Sequence, residues 1–225
     1  MATLPPPRLT CRRLPSFQAD RWDSIRTAFA QADVAALGQA WLPHPDPAFK
    51  PATVRTGWTG TDLAVLAEMD DDDIANRARR LNERTYELGD VFEIFLKPEG
   101  QDRYFEIHVT PENQKLQLRF PRPGAIREKP KDPAADPLAP FLFEDPLIRS
   151  LTLVEAARAR WSVLALVPLA FIHESGPVRP GTVWRFSFSR YDYTQGRPKP
   201  VISSTSPHAV ADFHRTEDYG FLTFA

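Results

Sequence analysis

What this 225-residue chain lacks excludes several kinds of chemistry. It has one cysteine, Cys11, so neither an internal disulfide framework nor a paired-cysteine zinc site can form. Cys11 reads as an incidental thiol near a mobile terminus. Lys and Arg total 28 against 29 Asp and Glu, a balance that creates no general attraction to nucleic acid or anionic lipid. No window approaches the about 20 apolar residues of a membrane span. The run "SVLALVPLAFI" is too short and contains Pro168. The opening "MATLPPPRLTCRRLPSF" has basic residues but no apolar stretch of signal-peptide length. The chain as given therefore reads as soluble and cytoplasmic, an expectation that changes if a leader has been removed. There is also no Gly-rich phosphate loop and no G-x-S-x-G nucleophile elbow.

Proline is abundant, at 23 residues, and aromatics fall in short alternating runs. That pattern predicts an all-β domain with long loops. Val54–Trp58 and Leu63–Met69, joined by "TGTD", read as a hairpin. The run "DDDDIANRARRLNERTYEL" follows, with acids first and arginines later. It suits either a short helix over Asp72–Arg84 or a solvated connector, and the connector is preferred. Leu116–Phe120 reads as a strand with Leu116, Leu118 and Phe120 inward. Residues 121–150 form a proline-rich loop within the same domain, a length that is normally functional or mobile. Trp161–Val167, Trp184–Tyr191 and the final "YGFLTFA" are further strands. Trp22 and Trp41 flank a segment that fits one helix or two edge strands. Residues 1–21 read as an N-terminal extension and 22–225 as one domain.

The stretch "GDVFEIFLKPEGQDRYFEIHVTPEN" places an acid at the centre of each of two otherwise apolar strands. Side chains alternate faces along a strand. Phe92, Ile94 and Leu96 therefore share one face with Phe105, Ile107 and Val109. The other face collects Glu93, Phe95, Tyr104, Glu106 and His108. Glu93 lies opposite Glu106 or His108, according to register.

Several chemistries suit that face. Paired carboxylates serve glycosidases, and Glu93, Glu106 and His108 offer oxygen and nitrogen donors to a metal. Asp70–Asp73 could contribute to a calcium site but lack the spacing of a dedicated loop. A hydrogen-bonded polar face and a solvated acidic run are the plainer readings of the two groups. His44, His173, His208 and His214 read as ordinary surface histidines. Trp161, Trp184, Phe186 and Phe188 read as core, whereas Tyr86, Tyr191, Tyr193 and Phe213 lie near turns. Aromatics mixed with a few fixed polar groups suit a sugar, whose rings have apolar faces and polar edges.

In order, "VRTGWTGTDLAVLAEMDDD", "YELGDVFEIFL", "RYFEIHVTPEN", "WSVLALVPLAFI", "GTVWRFSFSRYD" and "FHRTEDYGFLTF" resemble the family-9 carbohydrate-binding modules, within the DOMON-like β-sandwiches. The resemblance runs from about Val54 to the C terminus. It implies an immunoglobulin-like or jelly-roll sandwich of two antiparallel sheets, and a non-catalytic module that holds the reducing end of glucan or xylan. It also implies structural calcium in some members. Glu93 matches a sugar-contacting glutamate of the family. One of two sandwiching tryptophans falls at Glu87, with Tyr86 the adjacent aromatic, and the other at Phe213. A sugar-contacting arginine aligns with Glu106 and a glutamine with Ser189, with Arg190 next to it as a substitute donor. The expected ligand residues are thus Tyr86, Glu93, Glu106, Ser189, Arg190 and Phe213. Loss of both tryptophans implies a weaker or different ligand, or none. Rival readings are a haem-binding relative using Met69 as an axial ligand, a glycoside hydrolase using Glu93 and Glu106, and a sandwich serving only as an interaction protein.

Overall fold

The computed structural model describes residues 4–225. Twelve strands and three short helices follow along the chain. They are β1 (Arg8–Arg13), α1 (Trp22–Ala28), β2 (Val34–Ala36), β3 (Ala52–Trp58), β4 (Asp62–Asp70), α2 (Thr85–Leu88), β5 (Val91–Pro98), β6 (Tyr104–Val109), β7 (Lys115–Phe120), β8 (Arg149–Glu155), β9 (Arg160–Pro168), α3 (Leu169–Ile172), β10 (Val183–Asp192), β11 (Val201–Ser204) and β12 (Gly220–Phe224). No described helix is long and apolar enough to cross a membrane.

One sheet runs β7-β6-β5-β10-β12, with β11 on β10; the other runs β3-β4-β9-β8, with β2 on β3. Both are antiparallel internally, as in a β-sandwich. Strand β1 crosses between them. Its residues 8–11 run parallel to β12, and 12–13 run parallel to β3. Within the segment read as an N-terminal extension, β1 thus ties one sheet to the other. Cys11, expected near a mobile end, is wholly buried on this strand. Burial pushes its thiol far above the usual range, with a hydrogen bond to Thr56 opposing.

The alternating apolar sets do what period two requires. Phe92, Ile94, Leu96, Phe105, Ile107, Val109, Trp184, Phe186 and Phe188 meet Val54, Leu63, Val65, Ala67, Trp161 and Val163 in one core between the sheets. Each fully buried phenylalanine contributes up to about 3 kcal/mol there. The other face of the second sheet is covered by α1. Its Ile25 and Ala28, with Phe29, pack on Ala64, Leu66, Leu164 and Leu166. Arg26 anchors the helix to Glu68 at 3.1 Å and to Glu155 at 3.0 Å.

One local alternative is decided and one reading is corrected. Residues 72–84 form the preferred connector and not a helix, because side chains capture the backbone groups a helix would use. Ala75 N donates to Asp90 Oδ2 at 2.7 Å and Asn76 N to Glu112 Oε1 at 3.0 Å. Asn76 Nδ2 in turn donates to the carbonyls of Thr85 and Asp90. Leu116, Leu118 and Phe120 do not enter the inter-sheet core. Register sets them opposite His108, Glu106 and Tyr104, on the outer face. The proline-rich segment folds back over them, with Leu138 buried and Ile126, Phe141 and Leu142 packed alongside.

Candidate functional site

The pairing of β5 with β6 resolves the register: Glu93 lies opposite His108, and Phe95 opposite Glu106. Across the outer face one row reads Ser189, Glu93, His108, Leu116, and the next reads Ser187, Phe95, Glu106, Leu118. The carboxylates thus sit on the floor of a pocket of about 260 Å³. Its walls come from four segments distant in sequence. Tyr86 comes from α2, Ile126 and Leu138 from the proline-rich segment, Tyr191 and Ile202 from β10 and β11, and residues 211–214 from the loop before β12. Phe213 is held by Phe95, Tyr191 and Trp41, with ring centroids 6.3, 5.9 and 6.0 Å away. Trp41 is a neighbour that the sequence reading did not connect to the site.

The floor is a polar cluster under apolar walls. His108 Nε2 lies 2.7 Å from Glu106 Oε1 and 3.2 Å from Glu93 Oε1. Its Nδ1 is 2.8 Å from Thr85 Oγ1, so α2 orients the ring. On the pocket side His214 Nε2 is 3.7 Å from Glu106 Oε2, and its Nδ1 is 3.1 Å from the Tyr104 hydroxyl. Exposure is 2% for Glu93, 5% for Glu106 and nil for His108. Burial pushes the Glu93 carboxyl up to about 8, with His108 opposing and Glu106 adding. Burial acts to raise Glu106 as well, but His214 and His108 outweigh it and hold it below the usual carboxylate range. For His108, burial opposes the charge and the two glutamates overcome it, so its basicity rises.

Four of the six expected residues, Tyr86, Glu93, Glu106 and Phe213, meet in this pocket. Ser189 shares the face but is fully buried and donates to Ser204 Oγ at 3.2 Å, outside the lining. Arg190 points the other way, as alternation along β10 requires. Its Nη2 is 2.9 Å from Asp71 Oδ2 and 3.4 Å from Asp192 Oδ2, and its Nη1 donates to the Asp70 carbonyl at 2.8 Å. It cannot stand in for a ligand-binding arginine. His214, taken as a surface histidine, lines the pocket. The signal available was its place in "FHRTEDYG", directly after Phe213. His208, also taken as exposed, is completely buried.

Asp71, Asp90 and Asp192 bring carboxylate oxygens within 4.8 Å of one another, which raises the question of calcium. The donors do not fit it, because the chain hydrogen-bonds Asp71 and Asp90, while Asp192, which has no hydrogen-bond partner, faces the cations of Arg190 and Lys50. Asp90 accepts from the backbone N–H groups of Ala75 and Tyr193, and Asp71 from Arg190 and Asp73 N. Lys50 Nζ stands 3.7 Å from Asp192 and 3.8 Å from Asp71. Met69, the candidate axial ligand, is fully buried in the inter-sheet core opposite Trp161. Glu93 and Glu106 converge on one imidazole from the same sheet, an arrangement unlike two carboxylates flanking a scissile bond.

No known family's sequence profile matches the chain, and no curated protein is similar to it in sequence. Solved structures are similar. A Bacteroides uniformis protein proposed to bind carbohydrate superposes with a TM-score of 0.72 at 18% identity, covering 97% of this chain and 99% of its own. A family-9 carbohydrate-binding module of Caldicellulosiruptor kristjanssonii in complex with glucose gives 0.64 at 15% identity, covering 97% and 95%. Another from that organism, in complex with cellotriose, gives 0.60 at 15%, covering 96% and 93%. The chain therefore has the all-β sandwich fold of the family-9 carbohydrate-binding modules.

Proposed function

We propose that the protein is a non-catalytic carbohydrate-binding module whose outer-face pocket takes the terminal unit of a glucan or xylan oligosaccharide. The observation that carries this reading is the pocket itself: acceptor groups of Glu93 and Glu106 on a sheet floor, with Tyr86, Phe95, Tyr191 and Phe213 around them. Aromatic faces suit the C–H side of a sugar ring, and buried carboxylates accept from its hydroxyls. At about 260 Å³ the pocket is below the roughly 300–1,000 Å³ of sites for larger ligands, which favours one ring at a chain end over a chain passing through. The neighbours bound to glucose and cellotriose share the fold that presents it.

Calorimetric titration with glucose, cellotriose and xylo-oligosaccharides, each with free and chemically reduced ends, tests the reading. Binding that requires the free end and is lost in Tyr86→Ala supports it. Absence of binding to every sugar in the set refutes it.

A further inference from the structure

We propose that the pocket floor is a binding site for one divalent transition ion of the zinc class, held by Glu93, Glu106 and His108, with the fourth position open to the pocket. One imidazole nitrogen and two carboxylate oxygens converge there, with His108 Nε2 2.7 Å from Glu106 Oε1 and 3.2 Å from Glu93 Oε1. All three groups are buried, and their donor atoms lie within 4.8 Å of one another. Among the described residues no lysine or arginine pairs with either glutamate; their only charged partners are the two histidines. Buried carboxylates are normally paired with such a cation or coordinate a metal.

A second observation points into the same space. Glu106 Oε2 is buried without a hydrogen-bond partner, in a residue 95% buried that lines the pocket. His214 Nε2 stands 3.7 Å from that oxygen. A proton on His108 Nε2 satisfies one carboxylate oxygen and leaves this one bare. A divalent ion neutralises both carboxylates at once.

The surroundings have the form of outer-shell support. Metal-binding histidines use their second nitrogen to fix the ring. Here the Nδ1 of His108 meets Thr85 Oγ1 at 2.8 Å. One imidazole with two carboxylates suits zinc and its neighbours better than calcium, which prefers oxygen alone. Zinc–ligand lengths near 2.0–2.2 Å place tetrahedral donors roughly 3.3 Å apart. The 3.2 Å separation already matches, and the 2.7 Å one needs to open by a few tenths of an ångström. The site opens into the proposed sugar pocket, so a bound hydroxyl could complete the coordination. Only that last point rests on the sugar-binding reading.

The test is calorimetric titration of EDTA-stripped, buffer-exchanged protein with zinc chloride, without sugar. One ion per chain is expected, with affinity reduced more than tenfold in His108→Gln and in Glu106→Gln. His44→Gln, on an exposed histidine away from the pocket, should bind as wild type does. Because Glu106→Gln keeps the side chain's shape at the pocket wall, that variant keeps the test sound if the His108 variant fails to fold. No binding, or binding unchanged in both pocket variants, overturns the proposal. A parallel titration of the stripped protein with cellotriose separates the two readings. Sugar without zinc removes the ion site alone, and zinc without sugar leaves the ion site while the sugar reading falls.

Discussion

Replacing Arg190 by methionine should cost folding stability and leave the pocket's ligand affinity unchanged. The guanidinium is 1% exposed and sits between Asp71 and Asp192, themselves 0% and 3% exposed at the side chain. Methionine keeps much of the volume but strands two buried carboxylates, with Lys50 the remaining cation at 3.7–3.8 Å. Removing one partner of a buried ion pair costs about 3–5 kcal/mol, chiefly because the other charge is left uncompensated. At about 2–4 °C per kcal/mol for a chain of this size, Tm should fall by about 6–20 °C. Urea unfolding of wild type, Arg190→Met, Asp71→Leu and the double variant measures the same quantity as a cycle. The double variant should lose less than the sum, since Asp71→Leu removes one of the two carboxylates that Arg190→Met strands. Sugar titration well below the lowered Tm completes the experiment. Stability within about 1 kcal/mol of wild type, or lost sugar affinity in a stable Arg190→Met, would refute the reasoning and return Arg190 to the ligand site.

Three further outcomes follow from buried groups. His208 is buried, and burial lowers its basicity despite the opposing pull of Asp218, and of Asp212 beyond it. Its folded value lies below the ordinary 6.5, so the unfolded chain takes up the proton first. Wild type should therefore lose up to about 1.4 kcal/mol per pH unit as pH falls below that value, a slope reduced in His208→Gln urea titrations; parallel pH profiles would refute this. Thermal unfolding of EDTA-stripped wild type should be indifferent to added calcium, whereas Lys50→Met, which removes the ammonium among Asp71, Asp73 and Asp192, should become calcium-stabilised. A calcium-dependent wild-type Tm would show that the Asp cluster is a metal site after all. Gly89 has φ of +146°, and a Cβ there would lie 2.2 Å from the Ala75 carbonyl oxygen. Gly89→Ala should then cost at least about 2 kcal/mol by chemical denaturation, and a neutral result would mean that the 75–90 contact is not maintained.

Local pattern carried much of the architecture. The alternation in Phe92–Leu96, Phe105–Val109 and Trp184–Phe188 was enough to tell core face from outer face, because a strand's period of two is a property of its own backbone. It also placed Glu93 and Glu106 together outside the core. The hairpin Val54–Met69 was legible for the same reason, together with its turn residues. The tertiary structure alone decided what lay across each face. Whether Glu93 meets Glu106 or His108 depends on a register set by pairing, not by either strand. Leu116, Leu118 and Phe120 alternate as core residues do, yet their apolar partners are Leu138, Ile126 and Phe141, from a proline-rich segment with no periodicity to read. Arg190 is adjacent to Ser189 in sequence and on the opposite side of the sheet, buried against Asp71 at the end of another hairpin and Asp192 on its own strand. β1 has an ordinary alternating sequence, and its role as the strap between sheets exists only once β12 and β3 flank it. The pocket is of that second kind. Its floor is a pattern within two neighbouring strands, while its walls are long-range contacts that no short window contains.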